Sequence, residues 1–138
     1  MTINELQEEI IEEFETTGDD WMDRYQLLID MGAEQEPLDE KDKTEQNLIE
    51  GCQSRVWVVA TMEQGRMRLK AESDALIVKG IVTLLIRVLD NHTPEEILSA
   101  DLYFIDRIGL KDHLSPTRSN GLLSMVRQIR LYAKAYSA

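Results

Sequence analysis

The sequence predicts an α+β fold in which several helices pack against a small three-stranded antiparallel sheet. Apolar residues recur at helical spacing near both ends of the chain, whereas residues 55–71 combine a strand-like composition with a central turn. The chain has 138 residues, of which 43% are hydrophobic and 30% charged, a balance typical of a folded domain. Since it contains no repeat and no low-complexity linker, we expect one domain over residues 1–138.

Two amphipathic helices are predicted in the first third of the chain. A capping box begins at Thr2, and the apolar spacing that follows predicts a helix over roughly 3–15. Asp20 offers the N-cap of a second helix, and Gly32 is expected to end that helix as the residue just beyond its last turn. The polar composition of residues 33–46 predicts an irregular connection.

The middle of the chain carries the predicted strands. Residues 47–50 are expected to form a short strand, which a polar tetrapeptide at 51–54 interrupts. Residues 55–62 are rich in β-branched and aromatic side chains, and residues 66–71 alternate strictly between cations and apolar groups. The sequence Glu-Gln-Gly at 63–65 predicts a hairpin turn between these last two strands.

The remaining residues favour helices. A helix over about 74–90, capped by Ser73, is apolar nearly all round and is therefore expected to be buried. A second capping box begins at Thr93, and a weaker helical segment follows near 101–109. Ser115 opens the last helix, and this helix start could either cap itself or bind an anion through free amides, of which we favour capping.

The acidic side chains are concentrated in the first 50 residues. The formal net charge is -11 at pH 7, yet residues 1–50 contain 17 acidic and 3 basic side chains and residues 51–138 contain 9 and 12. Affinity for nucleic acids and for anionic membranes comes largely from Lys and Arg, so neither is expected as a partner. The excess of carboxylates predicts mainly a solvated helix face, with steering of a partner as the alternative.

The sequence also favours a cytoplasmic location. The first 15 residues have neither the basic nor the apolar region of a signal peptide. The longest strongly apolar stretch, residues 75–89, contains two cations and is shorter than the ~20 residues that cross a bilayer.

Cys52 is the only cysteine, so the chain can form neither an internal disulfide nor a multi-cysteine metal cage. A free cysteine is commonly a small buried apolar residue, but this one lies among turn-forming residues between two predicted strands. Activation of its thiolate would need a cation, a histidine or a helix N-terminus. The spacing of His92 and His113 gives no support for a cysteine protease arrangement.

Four segments, in order along the chain, resemble the SufE family of cysteine desulfuration proteins. The central one contains Gly-Cys-Gln-Ser followed by Val-Trp, which in that family surrounds the sulfur-accepting cysteine. The others resemble the family's helix beginning with tryptophan, its SDAxIVKG segment and its HL-(S/T)-PSRSxGL segment. The four segments are residues 21–32, 47–57, 73–80 and 113–122. Thr117 and Asn120 depart from residues common in the family without disturbing the pattern.

The resemblance implies a sulfur carrier with an α+β fold that is shared with a family of cluster-assembly scaffolds. Its members take persulfide sulfur from a pyridoxal-phosphate cysteine desulfurase, stimulate that enzyme, and pass the sulfur to an iron–sulfur cluster scaffold complex. By position, Cys52 would accept the sulfur. The chain would hold no cofactor, and it would act as a sulfurtransferase-like partner and not as an enzyme alone.

Five further residues are predicted to serve partner contact or to support the cysteine loop, and two other functions stay open. We expect Arg118 and His113 on the cysteine side, where they help to dock the partner. Asp74 is expected either to hold the cysteine loop through its backbone or to cap a helix. Gly51 and Gln53 flank the cysteine directly. The alternatives to a sulfur carrier are a small cysteine-dependent hydrolase and an interaction module in which the cysteine is inert.

Overall fold

The computed structural model describes residues 1–18, 20–49 and 54–137. Within them the chain folds into six α-helices and one antiparallel hairpin. In chain order the elements are α1 (Ile3–Glu15), α2 (Trp21–Glu34), β1 (Val56–Glu63), β2 (Arg66–Ser73), α3 (Leu76–Leu89), α4 (Pro94–Ser99), α5 (Phe104–Arg107) and α6 (Pro116–Ser137). Short 3₁₀ turns occur at Glu40–Asp42, Glu45–Asn47 and Lys111–His113. The prediction of an α+β fold is confirmed.

Helix α3 lies at the centre of this arrangement. Ten of its residues are buried, as the nearly all-round apolar pattern predicts. Helices α1 and α2, strand β2 and helix α6 all pack against it. The buried apolar residues of these elements belong to one cluster, so the core is a single helix surrounded by helices and one face of the hairpin.

Both predicted capping boxes are present. The Thr2 hydroxyl accepts the N–H of Glu5, and the Glu5 carboxylate accepts the N–H of Thr2. Thr93 and Glu96 repeat this arrangement at the start of α4. Asp20 caps α2 by accepting the N–H of Met22 at 2.9 Å. Local side-chain chemistry therefore sets the beginnings of these three helices.

The hairpin also follows the sequence pattern. Met67, Leu69 and Ala71 of β2 are buried against the core. The connecting turn places Gln64 and Gly65 at positive φ, +52° and +79°, as a type I′ hairpin turn requires. The outer edge of β1 is covered by α6, whose Tyr132 and Tyr136 hydroxyls donate to carbonyl groups of the strand at 3.1 and 2.9 Å.

The prediction of three strands is wrong, because the segment at 47–50 does not form one in the described residues. Asn47 ends the 3₁₀ turn Glu45–Asn47 and is therefore not extended. Leu48 forms a single bridge with Trp57, and Ile49 donates its N–H to Val56. The sheet consequently has two strands, with one short extended segment beside it.

Gly32 does not end α2, which continues to Glu34. Instead, Gly32 lies where α2 crosses α3 and faces Gly80. A Cβ atom on Gly32 would lie 2.9 Å from the backbone nitrogen of Gly80, and a Cβ on Gly80 would lie 2.2 Å from the carbonyl oxygen of Leu28. Both glycines are therefore explained by close approach of two helix backbones, which the sequence of one helix cannot reveal.

Candidate functional site

Cys52, Gly51 and Gln53 lie outside the described residues, so the site is defined by the residues on either side of them. On the N-terminal side, Ile49 is buried and its N–H donates to the carbonyl oxygen of Val56 at 2.8 Å. The bridge from Leu48 to Trp57 continues this pairing. The chain that leads to the cysteine segment is therefore fixed to the start of β1.

On the C-terminal side, three hydrogen bonds hold the backbone of Arg55. Its N–H donates to Asp74 Oδ1 at 3.1 Å, and its carbonyl oxygen accepts the N–H of Asp74 at 3.2 Å and the Ser73 hydroxyl at 2.9 Å. The N-cap residue of α3 is Ala75, and no side chain bonds the helix start from that position. Of the two roles expected for Asp74, the geometry therefore favours attachment of the chain beside the cysteine segment.

Ser73, the residue predicted to cap α3, forms its hydrogen bonds just outside the helix. Its hydroxyl accepts the N–H of Ala75 at 3.2 Å while donating to Arg55. Ser73 and Asp74 thus form a junction between the end of β2, the start of α3 and the residue that precedes β1. This junction lies three residues from Cys52 in sequence, at Arg55.

A cavity of about 310 Å³ opens beside this junction, between α3 and the start of α6. Ser54, the first described residue after the cysteine segment, lines it together with Arg118. The remaining lining residues are apolar groups of the two helices and hydroxyl groups at the start of α6: Val78, Ile81, Gly121, Met125, Ser115 and Thr117. The cavity thus combines apolar walls with three hydroxyl groups and one guanidinium group.

The start of α6 caps itself, as expected. The Ser115 hydroxyl accepts the N–H of Arg118 at 3.3 Å, and its carbonyl oxygen accepts the N–H of Ser119 at 2.9 Å. The Arg118 side chain is exposed and forms no salt bridge with any described residue. Arg118 therefore lines the cavity as a cation that has no carboxylate partner within the described part of the chain.

His113 does not line this cavity. Its ring stacks on Trp21 of α2, with the ring centroids 4.0 Å apart and the planes 10° from parallel. Its Nδ1 lies 3.0 Å from the carbonyl oxygen of Gly109, and its own carbonyl oxygen accepts the Tyr25 hydroxyl. These contacts tie the segment before α6 to α2. The structure therefore brings Arg118 and Ser54 together and gives His113 a packing role nearby.

Sequence reasoning did not identify a buried ion pair between Glu72 and Lys79. Their Oε1 and Nζ atoms are 3.0 Å apart, and Glu72 is only 8% exposed. Burial alone would raise the pKa of Glu72, but the hydrogen bonds from Lys79, Ser73 and Leu38 outweigh it and lower the pKa. The two residues are seven positions apart and a strand–helix boundary lies between them, so no helical spacing rule signals the pair.

The Glu72 pair also connects the irregular segment before the cysteine to the hairpin. Leu38, which is buried, donates its N–H to Glu72 Oε2 at 3.4 Å. Further along, the Asn47 amide donates to the carbonyl oxygen of Asp42, and the Lys43 ammonium lies 5.7 Å from the ring centroid of Trp57. The segment leading to the cysteine is thus attached to the hairpin at several points.

Two features of the described residues bear on other functions. Across 1–18, 20–49 and 54–137, no three His, Asp or Glu side chains come together in a way that could hold a metal ion. Nor does any helix in the same ranges have the length and apolar character needed to cross a membrane.

Comparisons with known proteins agree with the geometry. The solution structure of a hypothetical protein from Thermus thermophilus matches the fold with a TM-score of 0.78, at 24% sequence identity, covering 96% of each chain. At that identity the likeness shows the fold alone. The SufE family, described as an Fe-S metabolism associated domain, matches residues 8–133. Since this match spans most of the sequence, the chain belongs to the SufE family.

Proposed function

We propose that this protein is a sulfur carrier that accepts sulfane sulfur on Cys52 from a cysteine desulfurase and delivers it for iron–sulfur cluster assembly. Membership of a family associated with Fe-S metabolism supports the general role. The single observation that carries the specific proposal is the cavity beside Ser54, which is also lined by Arg118, a cation that has no carboxylate partner among the described residues. The only cysteine of the chain precedes Ser54 by two residues.

The proposed reaction is a thiol–persulfide exchange. The thiolate of Cys52 attacks the outer sulfur of the desulfurase persulfide, a new S–S bond forms on Cys52, and the old S–S bond breaks. The desulfurase cysteine leaves as a thiolate, and the proton of the persulfide stays with the transferred sulfur. Because the attacking and leaving groups are both thiolates, the step needs no external oxidant or reductant. It frees the desulfurase for another cycle, which accounts for stimulation of that enzyme.

The fixed flanks of the cysteine segment support this role. The backbone is held at Ile49 on one side and at Arg55 on the other, so both ends of the intervening segment have defined positions. Anchoring of this kind lowers the entropy lost when a partner orders the reacting group. The three hydrogen bonds between Arg55 and the Ser73–Asp74 junction would therefore contribute to transfer without touching the sulfur.

The cavity suggests a resting place for the sulfur. We propose that Cys52 is partly sheltered there in the free protein and moves out when the desulfurase docks. Apolar walls from Val78, Ile81 and Met125 would restrict access of water and of small thiols to a persulfide. A structure of the free protein with the Cys52 sulfur fully exposed to solvent would count against this part of the proposal.

The experiment combines the protein, a cysteine desulfurase and cysteine, and reads the intact mass. A carrier gains one sulfur atom and raises desulfurase turnover, whereas the Cys52→Ser variant does neither. A thermal unfolding curve that matches the wild-type curve serves as the control for folding of the variant. Unchanged mass with unchanged turnover would contradict the proposal.

The same experiment separates the two other functions. A cysteine hydrolase would act on an ester or peptide substrate without any desulfurase, and Cys52→Ser would abolish that activity. An interaction module would bind its partner equally well in both forms and would gain no sulfur. A carrier needs a reduced thiol, which fits the reducing cytoplasm as its location.

A further inference from the structure

One face of the β1–β2 hairpin is turned away from the core. Successive strand residues point to opposite faces, and the register pairs Val59 with Lys70 and Thr61 with Arg68. We call this surface the outer hairpin face. Its members are Arg55, Trp57, Val59, Thr61 and Glu63 on one side and Arg66, Arg68, Lys70 and Glu72 on the other.

The outer hairpin face carries apolar side chains that the core does not use. Trp57 and Val59 are half-buried, yet neither belongs to the described core cluster nor packs against it. Their neighbours on the opposite face of the same strand, Val56 and Val58, are fully buried in that cluster. The two apolar side chains thus lie on the side of the hairpin away from the core, and among the described residues the segment around Lys43 and Leu48 lies beside Trp57. Opposite Trp57, Glu72 is bonded to Leu38 and Lys79.

The face is also positively charged. Among the described residues, Arg55, Arg66 and Lys70 form no salt bridge, and all three are exposed. Arg68 is the exception, since it lies 3.5 Å from Glu63 and 3.3 Å from Asp90. Three cations that have no carboxylate partner among the described residues thus share this face with Glu63 and Glu72, each of which is already paired with another cation, in a chain with a net charge of -11.

The groove between α1 and α2 has the opposite charge. It has a volume of about 810 Å³, and Arg87, the one cation among the described residues that line it, is already paired with two glutamates. Its acidic lining residues are Glu9, Glu12, Glu13, Asp30 and Glu34. An acidic partner would be repelled by this groove and attracted by the outer hairpin face, so the charge distribution favours one orientation of approach.

We propose that the cysteine desulfurase docks across the outer hairpin face, with an acidic surface that includes at least one apolar side chain. This inference rests on the proposed function, because it takes the desulfurase to be the protein that reaches Cys52. A stable interface buries ~800 Å² on each partner, which a single cavity cannot supply. The outer hairpin face begins at Arg55, directly beside the candidate site, and Val59 is only ~13 Å further along the strand.

The carboxylates of the partner would meet Arg55, Arg66 and Lys70, and its apolar group would cover Trp57 and Val59. An aromatic ring flanked by cations is a common centre of binding energy in protein interfaces. A nucleic acid would also seek the cations, but the net charge of -11 opposes it. We therefore commit to a protein partner, and nucleic-acid binding becomes an outcome of the test.

The test is a charge reversal at Lys70 with a matched control. Lys70→Glu reverses an exposed cation on the outer hairpin face that forms no salt bridge with any described residue, and Arg127→Glu reverses an exposed cation on α6. The dissociation constant for the desulfurase is measured without cysteine, at low and high salt. We expect Lys70→Glu to weaken binding about fivefold at low salt and less at high salt, and Arg127→Glu to change it less than about twofold.

The outcomes separate this inference from the proposed function. Equal effects of the two variants, or no binding by the wild-type protein, would overturn the docking proposal. Loss of retention on single-stranded RNA by Lys70→Glu, with unchanged desulfurase binding, would overturn it in favour of nucleic acid. Binding that depends on Lys70 but leads to no sulfur on Cys52 would support the docking proposal and contradict the proposed function.

Discussion

The crossing of α2 and α3 yields a prediction about stability. Whether a Gly80→Ala substitution lowers or raises the free energy of unfolding shows whether helix packing or helix propensity dominates. In the Gly80→Ala variant, the new Cβ would lie 2.2 Å from the carbonyl oxygen and 2.7 Å from the carbonyl carbon of Leu28. Both atoms belong to the backbone of α2, so no change of rotamer can relieve the contact. The two helices would have to separate by about 1 Å to restore ordinary van der Waals distances.

The magnitude follows from two opposing contributions. Overpacking of a tight core costs ~1–3 kcal/mol, and the upper end applies where only backbone can move. Alanine favours a helix over glycine by ~1 kcal/mol. We therefore expect Gly80→Ala to lower the free energy of unfolding by about 2 kcal/mol, which corresponds to a loss of about 6 °C in melting temperature for a chain of this length.

The assay is urea unfolding monitored by circular dichroism, and the dependence of the free energy of unfolding on urea concentration is compared between variants. Gly32→Ala serves as a graded control, because its Cβ would lie 2.9 Å from the Gly80 nitrogen and needs a smaller shift. We expect this control to lose about 1 kcal/mol or less. An increase in the stability of Gly80→Ala would show that propensity dominates and would refute the close crossing of the two helices.

Three further predictions concern the site and its support. Asp74→Ala removes the carboxylate that accepts the backbone N–H of Arg55, so we expect faster hydrogen exchange at the Arg55 amide and a loss of about 1 kcal/mol in the free energy of unfolding. Unchanged exchange at this amide would contradict the role of Asp74 in holding the chain beside the cysteine segment. Glu72→Gln leaves Lys79 without its carboxylate and should cost about 2 kcal/mol at pH 7 by urea unfolding. Because the folded pKa of Glu72 is lowered, its stabilisation is complete above the ordinary value of 4.5 and is lost as pH falls through the folded pKa, so the variant and wild-type curves should converge in acid. Arg118→Ala should weaken desulfurase binding about threefold or more, whereas Arg127→Ala on the same helix should not; equal titration curves would remove Arg118 from the interface.

Local rules predicted the parts of the fold that depend on local chemistry. The capping boxes at Thr2 and Thr93 gave helix starts that the structure confirms, because the bonds join residues three apart. The alternation in β2 identified its buried face for the same reason, since the side-chain period of a strand does not depend on its partners. The α+β class followed from these elements together.

Features that depend on contacts distant in sequence were missed. A glycine near a helix terminus predicts the end of a helix, but Gly32 is explained by its close approach to Gly80 across the helix interface. The strand expected at 47–50 failed because a 3₁₀ turn extends to Asn47. His113 has a ring partner 92 positions earlier in Trp21, which no spacing rule links to it.

The candidate site likewise combines residues that the sequence indicated with residues that only the structure shows. The resemblance directed attention to Asp74 and Arg118 as well as Cys52, and the structure assigns Asp74 to the chain beside the cysteine segment and Arg118 to the cavity lined by Ser54. Glu72 and Lys79, which stabilise the same region, came only from the structure. The motifs thus pointed to residues around the cysteine segment, whereas the packing that supports this region has to be seen in the structure.

The most direct test of the central claim follows sulfur to one residue. The protein is mixed with a substoichiometric amount of cysteine desulfurase and with cysteine labelled on sulfur, and the chain is then alkylated, digested and analysed by mass spectrometry. We predict labelled sulfane sulfur on the peptide that contains Cys52, in amounts exceeding the desulfurase present, and none in Cys52→Ser. Label confined to the desulfurase, with Cys52 recovered as a plain thiol, would contradict the account.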